Sequence, residues 1–495
     1  MPSASLSSFP PELLDKIFRH FCTHCTDDGL VIYHSRTSAQ GGASLKNLCR
    51  TSRQMSAMAT PILHHDLPPL NVNAACQLLT NIIEQPHLAD AIHKMKLDPC
   101  YWYATRTLGQ QRMLNALLER LDLDGWDPYA KERDGSDFDG SDAEDEEDMD
   151  DDDDDEEGGD KGNDNETPAL DEEAQAADEE AIAGLYNALM RELMTRAKNL
   201  REVDCINPMW EETEDGTDRW APDEHEDAAW LRLAAKPSAL ANLRHLHISH
   251  WDTENGFCLG GDSSEPRIGN LVLAAAGNLE RLTLNQCDTF GLETVLPSIK
   301  KVELFMCLLT PEDFERFMKC LPGLRDFRYD SGGATVSDED NEHTAEEVAG
   351  LLSARRSTLT SISISYSDSF RQEFEPTLIG SFAEFPVLEE LDLWASDLFP
   401  VFPLPAPRLV SLLPRSLKRL RIAGSCPARE CQALVAAVEA GQFPALEEVG
   451  FGRVLGRPAE GQPGFSAGKI KTDEDFWVPL RDSFGKLKIK CSVYE

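Results

Sequence analysis

No stretch of this 495-residue chain holds the roughly 18 consecutive apolar residues that a membrane-crossing helix requires, so no membrane partner is expected. The opening MPSASLSSFPP also lacks a basic start followed by an unbroken apolar run, and it does not read as a signal peptide. Positive charge is scarce. Lys and Arg number 47 against 88 Asp and Glu, a net charge of −41, and no basic face gathers that could hold phosphates, which argues against nucleic acid as a ligand. A Gly-rich phosphate loop of the Walker type, a G-x-S-x-G elbow and an H-E-x-x-H helix are all missing. The chain is therefore not expected to be an enzyme or to need a cofactor. Its 13 cysteines have no paired framework, and several, such as Cys287 and Cys307, lie in apolar stretches. That usage suits buried thiols in reducing surroundings, hence the cytoplasm and/or nucleus.

The negative charge is concentrated. Between Asp134 and Glu180, 26 acidic residues face the single Lys161, so this tract carries most of the excess. It is too charged and too poor in apolar side chains to offset the entropy of ordering, and residues 134–180 are expected to be a disordered insert. Helical spacing returns at Ile182, Leu185, Leu189 and Leu193.

What the chain does have is a repeat. An apolar–x–x–apolar–x–apolar pattern starts at Leu200, Leu243, Leu279, Ile299, Leu324, Leu359, Leu388, Leu417 and Leu446, and its last three steps are each 29 residues. A member before these is Ile92–Leu97, and one after them is Phe484–Ile489. Helix signals lie between: Thr310-Pro311-Glu312-Asp313 before FERFMKCL, Thr344-Ala345-Glu346-Glu347 before VAGLLSA, and CQALVAAVEA from Cys431. Strand, helix and strand at these spacings predict an α/β leucine-rich-repeat solenoid over 181–495, with parallel strands inside and helices outside, and a first repeat or linker over 69–133.

Ahead of the repeats, FPPELLDKIFRHFC places Leu13, Leu14, Ile17, Phe18 and Phe21 along one side of a helix, with Glu12, Asp15, Lys16 and Arg19 on the other. Leu45, Leu48, Cys49, Ser52, Met55 and Ala59 recur at three- and four-residue steps and give at least one more helix, so 1–68 is expected to be a short all-α module. The run Phe9-Pro10-x-Glu12-Leu13-Leu14-x-x-Ile17-Phe18, followed by Leu45-x-x-Leu48-Cys49-x-x-Ser52-Arg53, resembles an F-box. The chain departs from the family in opening with Phe-Pro where Leu-Pro is usual, and in a longer spacer between the two halves.

The resemblance implies the substrate-recognition subunit of an SCF-type ubiquitin ligase. Pro10, Leu13, Leu14, Ile17, Phe18, Leu45 and Leu48 would dock on a Skp-family adaptor, through it on a cullin, and the repeats would hold an unidentified protein for ubiquitin-dependent degradation. Strand side chains alternate between faces, so residues between the apolar positions of each triplet should form the ligand face. His247, Arg281, Phe305, Arg328, Trp394 and Arg421 are the candidates there, since exposed aromatics and arginine dominate interface energetics. Two other readings stand beside this one: an adaptor-independent repeat module whose first helices only cap the solenoid, and an acidic chaperone for basic proteins.

Two patterns suggest metal. Cys22-Thr23-His24-Cys25 has the spacing of zinc and redox sites, but no second matched pair accompanies it, and Cys49 and His64-His65 are unpatterned, so it reads as a helix end. His245 and His247 share one side of a strand without a third ligand, and read as an ordinary polar face. No metal site is expected.

Overall fold

The computed structural model describes residues 9–22, 25, 35–97, 186, 188–206, 240–249, 257–258, 273, 276–289, 294–307, 309–331, 345–365, 378–399, 408–455 and 474–493. The acidic tract at 134–180, and with it the expectation of disorder there, lies outside them.

The first helix, α1 (Pro11–Arg19), begins on Pro10-Pro11, where a missing N–H costs nothing. Glu12 sits in its first turn and Lys16 and Arg19 in its last, which suits the helix dipole. Two further helices follow, α2 (Ser35–Cys49) and α3 (Arg53–Leu63), the latter capped by the Ser52 hydroxyl, which accepts the Met55 N–H at 3.1 Å. Leu14, Phe18, Cys22, Leu45, Met55, Ala59 and Ile62 form a core of their own, separate from the main one. Gly41 is needed here, because a Cβ on it would meet the Phe21 carbonyl oxygen at 2.2 Å.

The remainder is built on one twelve-stranded sheet in which every neighbouring pair is parallel. Its strands in order are β1 (Asp66–Leu67), β2 (Lys94–Leu97), β3 (Glu202–Ile206), β4 (His245–Ser249), β6 (Arg281–Asn285), β8 (Lys301–Phe305), β9 (Asp326–Asp330), β10 (Ser361–Ser365), β11 (Glu390–Trp394), β12 (Arg419–Pro427), β13 (Glu448–Leu455) and β14 (Lys490–Val493). Two short strands, β5 (Phe257–Cys258) and β7 (Cys287–Thr289), pair apart from it. Chain order is sheet order, as a solenoid requires. The expected 1–68 module contains β1, so its end and the start of the sheet overlap.

The triplet leucines are core for a simple reason: with a period of two, Leu282 and Leu284, Ile362 and Ile364, and Leu391 and Leu393 all project to the covered side and are buried. Helices occupy several crossovers, among them Val72–Glu84, 188–196, Pro311–Cys320, Ala345–Leu352, Ala428–Glu439 and Glu474–Lys486. Thr310 caps the Pro311 helix by accepting the Asp313 N–H at 3.2 Å.

Two ladders link successive coils. At every step but the last, the carbonyl just before a strand accepts two N–H groups from the next coil. His65 takes those of His93 and Lys94 (3.1 and 2.9 Å), Arg244 those of Glu280 and Arg281 (2.8 and 2.9 Å), and Lys418 those of Glu447 and Glu448 (2.8 and 3.0 Å). Beside it runs a side-chain ladder: the amides of Asn199, Asn242 and Asn278 donate to the carbonyls of Asp90, Lys198 and Ala241 at 2.7, 2.7 and 2.8 Å. Turn groups that would otherwise be orphaned are thereby satisfied.

Candidate functional site

Two surfaces bear on function. On the N-terminal module, α1 turns Leu14 and Phe18 into the module's core and leaves the neighbouring stripe outside: Phe9 is 38% exposed, Leu13 41% and Phe21 36%. Of the seven residues expected to meet an adaptor, Leu14, Phe18 and Leu45 are therefore interior, Ile17 and Leu48 half-buried, and Pro10 and Leu13 exposed. The reason is geometric: two adjacent apolar rows on one helix cannot both face the same partner, and the row at 14 and 18 is covered by α3. Phe9 and Phe21 share the outer stripe and were not among the expected contacts.

The second surface is the uncovered side of the sheet, where strict register stacks side chains into rows. One row runs Asp204, His247, Thr283, Glu303, Arg328, Ser363, Asp392, Arg421. Its first half is buried or half-buried and carries ion pairs within the sheet. His247 Nδ1 lies 2.9 Å from Asp204 Oδ1, and Arg281 meets Glu303 Oε2 at 2.6 Å with Lys301 on the other oxygen at 3.1 Å. Thr283 Oγ1 donates its one proton to Glu303 at 3.3 Å and so accepts from His245 Nε2 at 3.1 Å. Burial works to raise the carboxyls of Glu303 and Asp204. Arg281 and Lys301 in the first case, and His247 with Lys96 and Lys94 in the second, hold them below the usual carboxylate range instead. Burial, then Arg281, His247 and Lys94, push the His245 imidazole down to about 3. His247 and Arg281 are thus each paired to a carboxylate within the sheet, while the buried His247 Nε2 has no hydrogen-bond partner among the described residues.

The second half is open. Arg328, Trp394 and Arg421 are exposed, Phe305 and Asp392 half-buried, and the small side chains of Ser361, Ser363 and Ser365 line β10 between them. Arg328 stacks on the Phe305 ring, 4.8 Å from its centroid. Trp394 lies across β12 near Gly424, which adopts φ +75° at a break in register between Ile422 and Ser425. Arg328 and Arg421 form no ion pair among the described residues, whereas the row at the N-terminal strand ends pairs Lys94 with Glu202, Arg419 with Glu390 and Lys490 with Glu448. Asp392 stands between the two arginines. Burial raises its carboxyl and the arginines oppose that.

A third cluster joins the two regions: Cys22, Cys25 and His65 bring their sulfur and nitrogen atoms within 4.8 Å of one another. The sequence offered Cys22 and Cys25 as an isolated pair; folding supplies the histidine from 40 residues away.

These features define an α/β protein with a repeat-like parallel sheet, a fold that fits the leucine-rich-repeat expectation, with a small helical module at its first strand. No protein family and no curated protein matches the sequence. Among solved structures the chain is similar to a crystallised protein of Bacteroides fragilis, at 12% identity over 63% of this chain and 83% of that one, with a TM-score of 0.28. Among the described residues no helix is long and apolar enough to cross a membrane.

Proposed function

We propose that the chain is the substrate-recognition subunit of an SCF-type ubiquitin ligase, its N-terminal module an F-box docked on a Skp-family adaptor that bridges to a cullin. The observation that carries this reading is the stripe of Phe9, Leu13 and Phe21, left in solvent by a helical module that already has a complete core. Apolar side chains grouped this closely on so small a unit mark a protein contact. The open patch of Phe305, Arg328, Trp394 and Arg421 then takes the target. Two exposed arginines outside any ion pair among the described residues, sharing the single Asp392 between them, with serines and aromatics alongside, suit an acidic segment bearing an apolar anchor. That patch disfavours the reading as a chaperone for basic proteins, at least on this face. The mechanism is proximity: a rigid array holds target lysines near a charged ubiquitin enzyme and supplies no catalytic group.

Co-purification with a Skp-family adaptor tests the proposal. Leu13→Asp should weaken capture at least tenfold with the fold intact, whereas Leu14→Ala should destabilise the module by about 2–5 kcal/mol. Adaptor retained at full strength by Leu13→Asp, or never bound by the wild-type chain, overturns the assignment in favour of an adaptor-independent module. Arg421→Ala and Trp394→Ala should lose target without losing adaptor.

A further inference from the structure

Cys22 leaves the end of α1 and Cys25 follows one turn later, its N–H bonded to the Cys22 carbonyl at 3.1 Å. His65 comes from elsewhere, at the junction of α3 and β1. Its backbone is fixed, since its N–H donates to Ile62 at 3.1 Å and its carbonyl carries the first step of the inter-coil ladder. The His65 ring packs edge-on against His93, with centroids 4.8 Å apart, which orients it. Its Nδ1 lies 3.2 Å from the Cys25 sulfur. Tetrahedral zinc with Zn–S of about 2.3 Å and Zn–N of about 2.0–2.1 Å places such donors roughly 3.5–3.8 Å apart. Cys25 Sγ and His65 Nδ1 at 3.2 Å need only open by a few tenths of an ångström, all three donors lie within 4.8 Å of one another, and the described cysteines form no disulfide.

The geometry points to a zinc site made by Cys22, Cys25 and His65, which staples the end of the first helix to the first coil of the solenoid. Two thiolates and an imidazole are the donor chemistry that favours zinc among divalent ions. On binding, Cys22 and Cys25 each release a thiol proton to solvent, and Zn²⁺ with two thiolates sums to zero charge, which suits a place where Cys22 and His65 are buried. His65 contributes its neutral imidazole. The fourth position is left for water or a further ligand. Among the described residues α1 packs on α3, and the metal would add a direct tie from its end to the first coil of the sheet.

The full chain, prepared without chelator in zinc-containing medium, should hold one zinc per chain by elemental analysis. Stripped and reloaded with Co²⁺, it should show thiolate-to-metal charge transfer and the intense visible bands of tetrahedral cobalt. Cys22→Ser with Cys25→Ser should abolish both signals. His65→Asn should weaken Co²⁺ binding at least tenfold, and Cys49→Ser, outside the cluster, should leave it unchanged. Because the double variant could unfold the module, the wild-type chain is decisive. A metal-free product that gives no charge transfer with Co²⁺ overturns the site. A Cys22–Cys25 disulfide in the unreduced chain, or equal Co²⁺ affinity in His65→Asn, does so as well.

Discussion

At the scale of single residues, His245 shows how this sheet stores a pH response. It accepts burial beside Arg281 by staying neutral, with its folded value near 3 against about 6.5 when unfolded. Between those values the unfolded chain binds the extra proton, so stability is full above pH 6.5 and falls as pH drops, by at most about 1.4 kcal/mol per unit. The carboxyls of Asp204 and Glu303 are held low and begin to matter only near or below their ordinary range. A loss between pH 6.5 and 5 is therefore assigned to the histidine. Urea unfolding across that window should show the slope, and His245→Gln should flatten it. None of this was legible beforehand: the sequence shows a His-x-His strand, but not that Arg281 arrives on the next strand with Glu303 beyond it. For the same reason the sequence offers no way to separate Arg281 and His247, which pair with Glu303 and Asp204, from Arg328 and Arg421, which form no ion pair among the described residues and are exposed.

At the scale of elements, the strands were the most readable part. The 29-residue step from Leu359 to Leu446 places β10 to β13 at Ser361, Glu390, Arg419 and Glu448, one coil apart each time, because a buried period-two face tolerates no slip. The asparagine before each early triplet, in NLREV, NLRHL and NLERL, has a role that apolar periodicity does not show, since its bond runs to the preceding coil. Asn278→Ala should cost about 0.5–1 kcal/mol, because the bond lies at the surface and water can take the Ala241 carbonyl in its place. Thermal unfolding would register this, with Asn242→Ala expected to match. On α1 the amphipathic pattern marked an apolar side correctly, yet gave no means of dividing Leu13 from Leu14. Which row is covered depends on α3, about forty residues further along the chain, and not on α1 itself.

For the whole molecule, β2 pairs directly with β3, Lys94 beside Glu202, although more than one hundred residues separate them. In chain order the acidic tract falls within the connection between these two adjacent strands. Removing 134–180 should leave the melting temperature and circular dichroism of the array unchanged within a few degrees, while the net charge falls sharply in magnitude. A collapsed or aggregated product would show that the tract contributes to the fold. Nearest-neighbour coupling makes the opposite forecast for any cut inside β8 to β11, where each strand completes the core of two others.

Strand order also acts as a ruler. Rungs of a sheet stand about 4.8 Å apart, so five to nine of them between β1 and the patch on β8 to β12 amount to roughly 25–45 Å along the array. Anything gripped at the first helices is held off from anything seated on that patch by a span set by counting rungs. Excising one 29-residue coil would shorten it by a single notch.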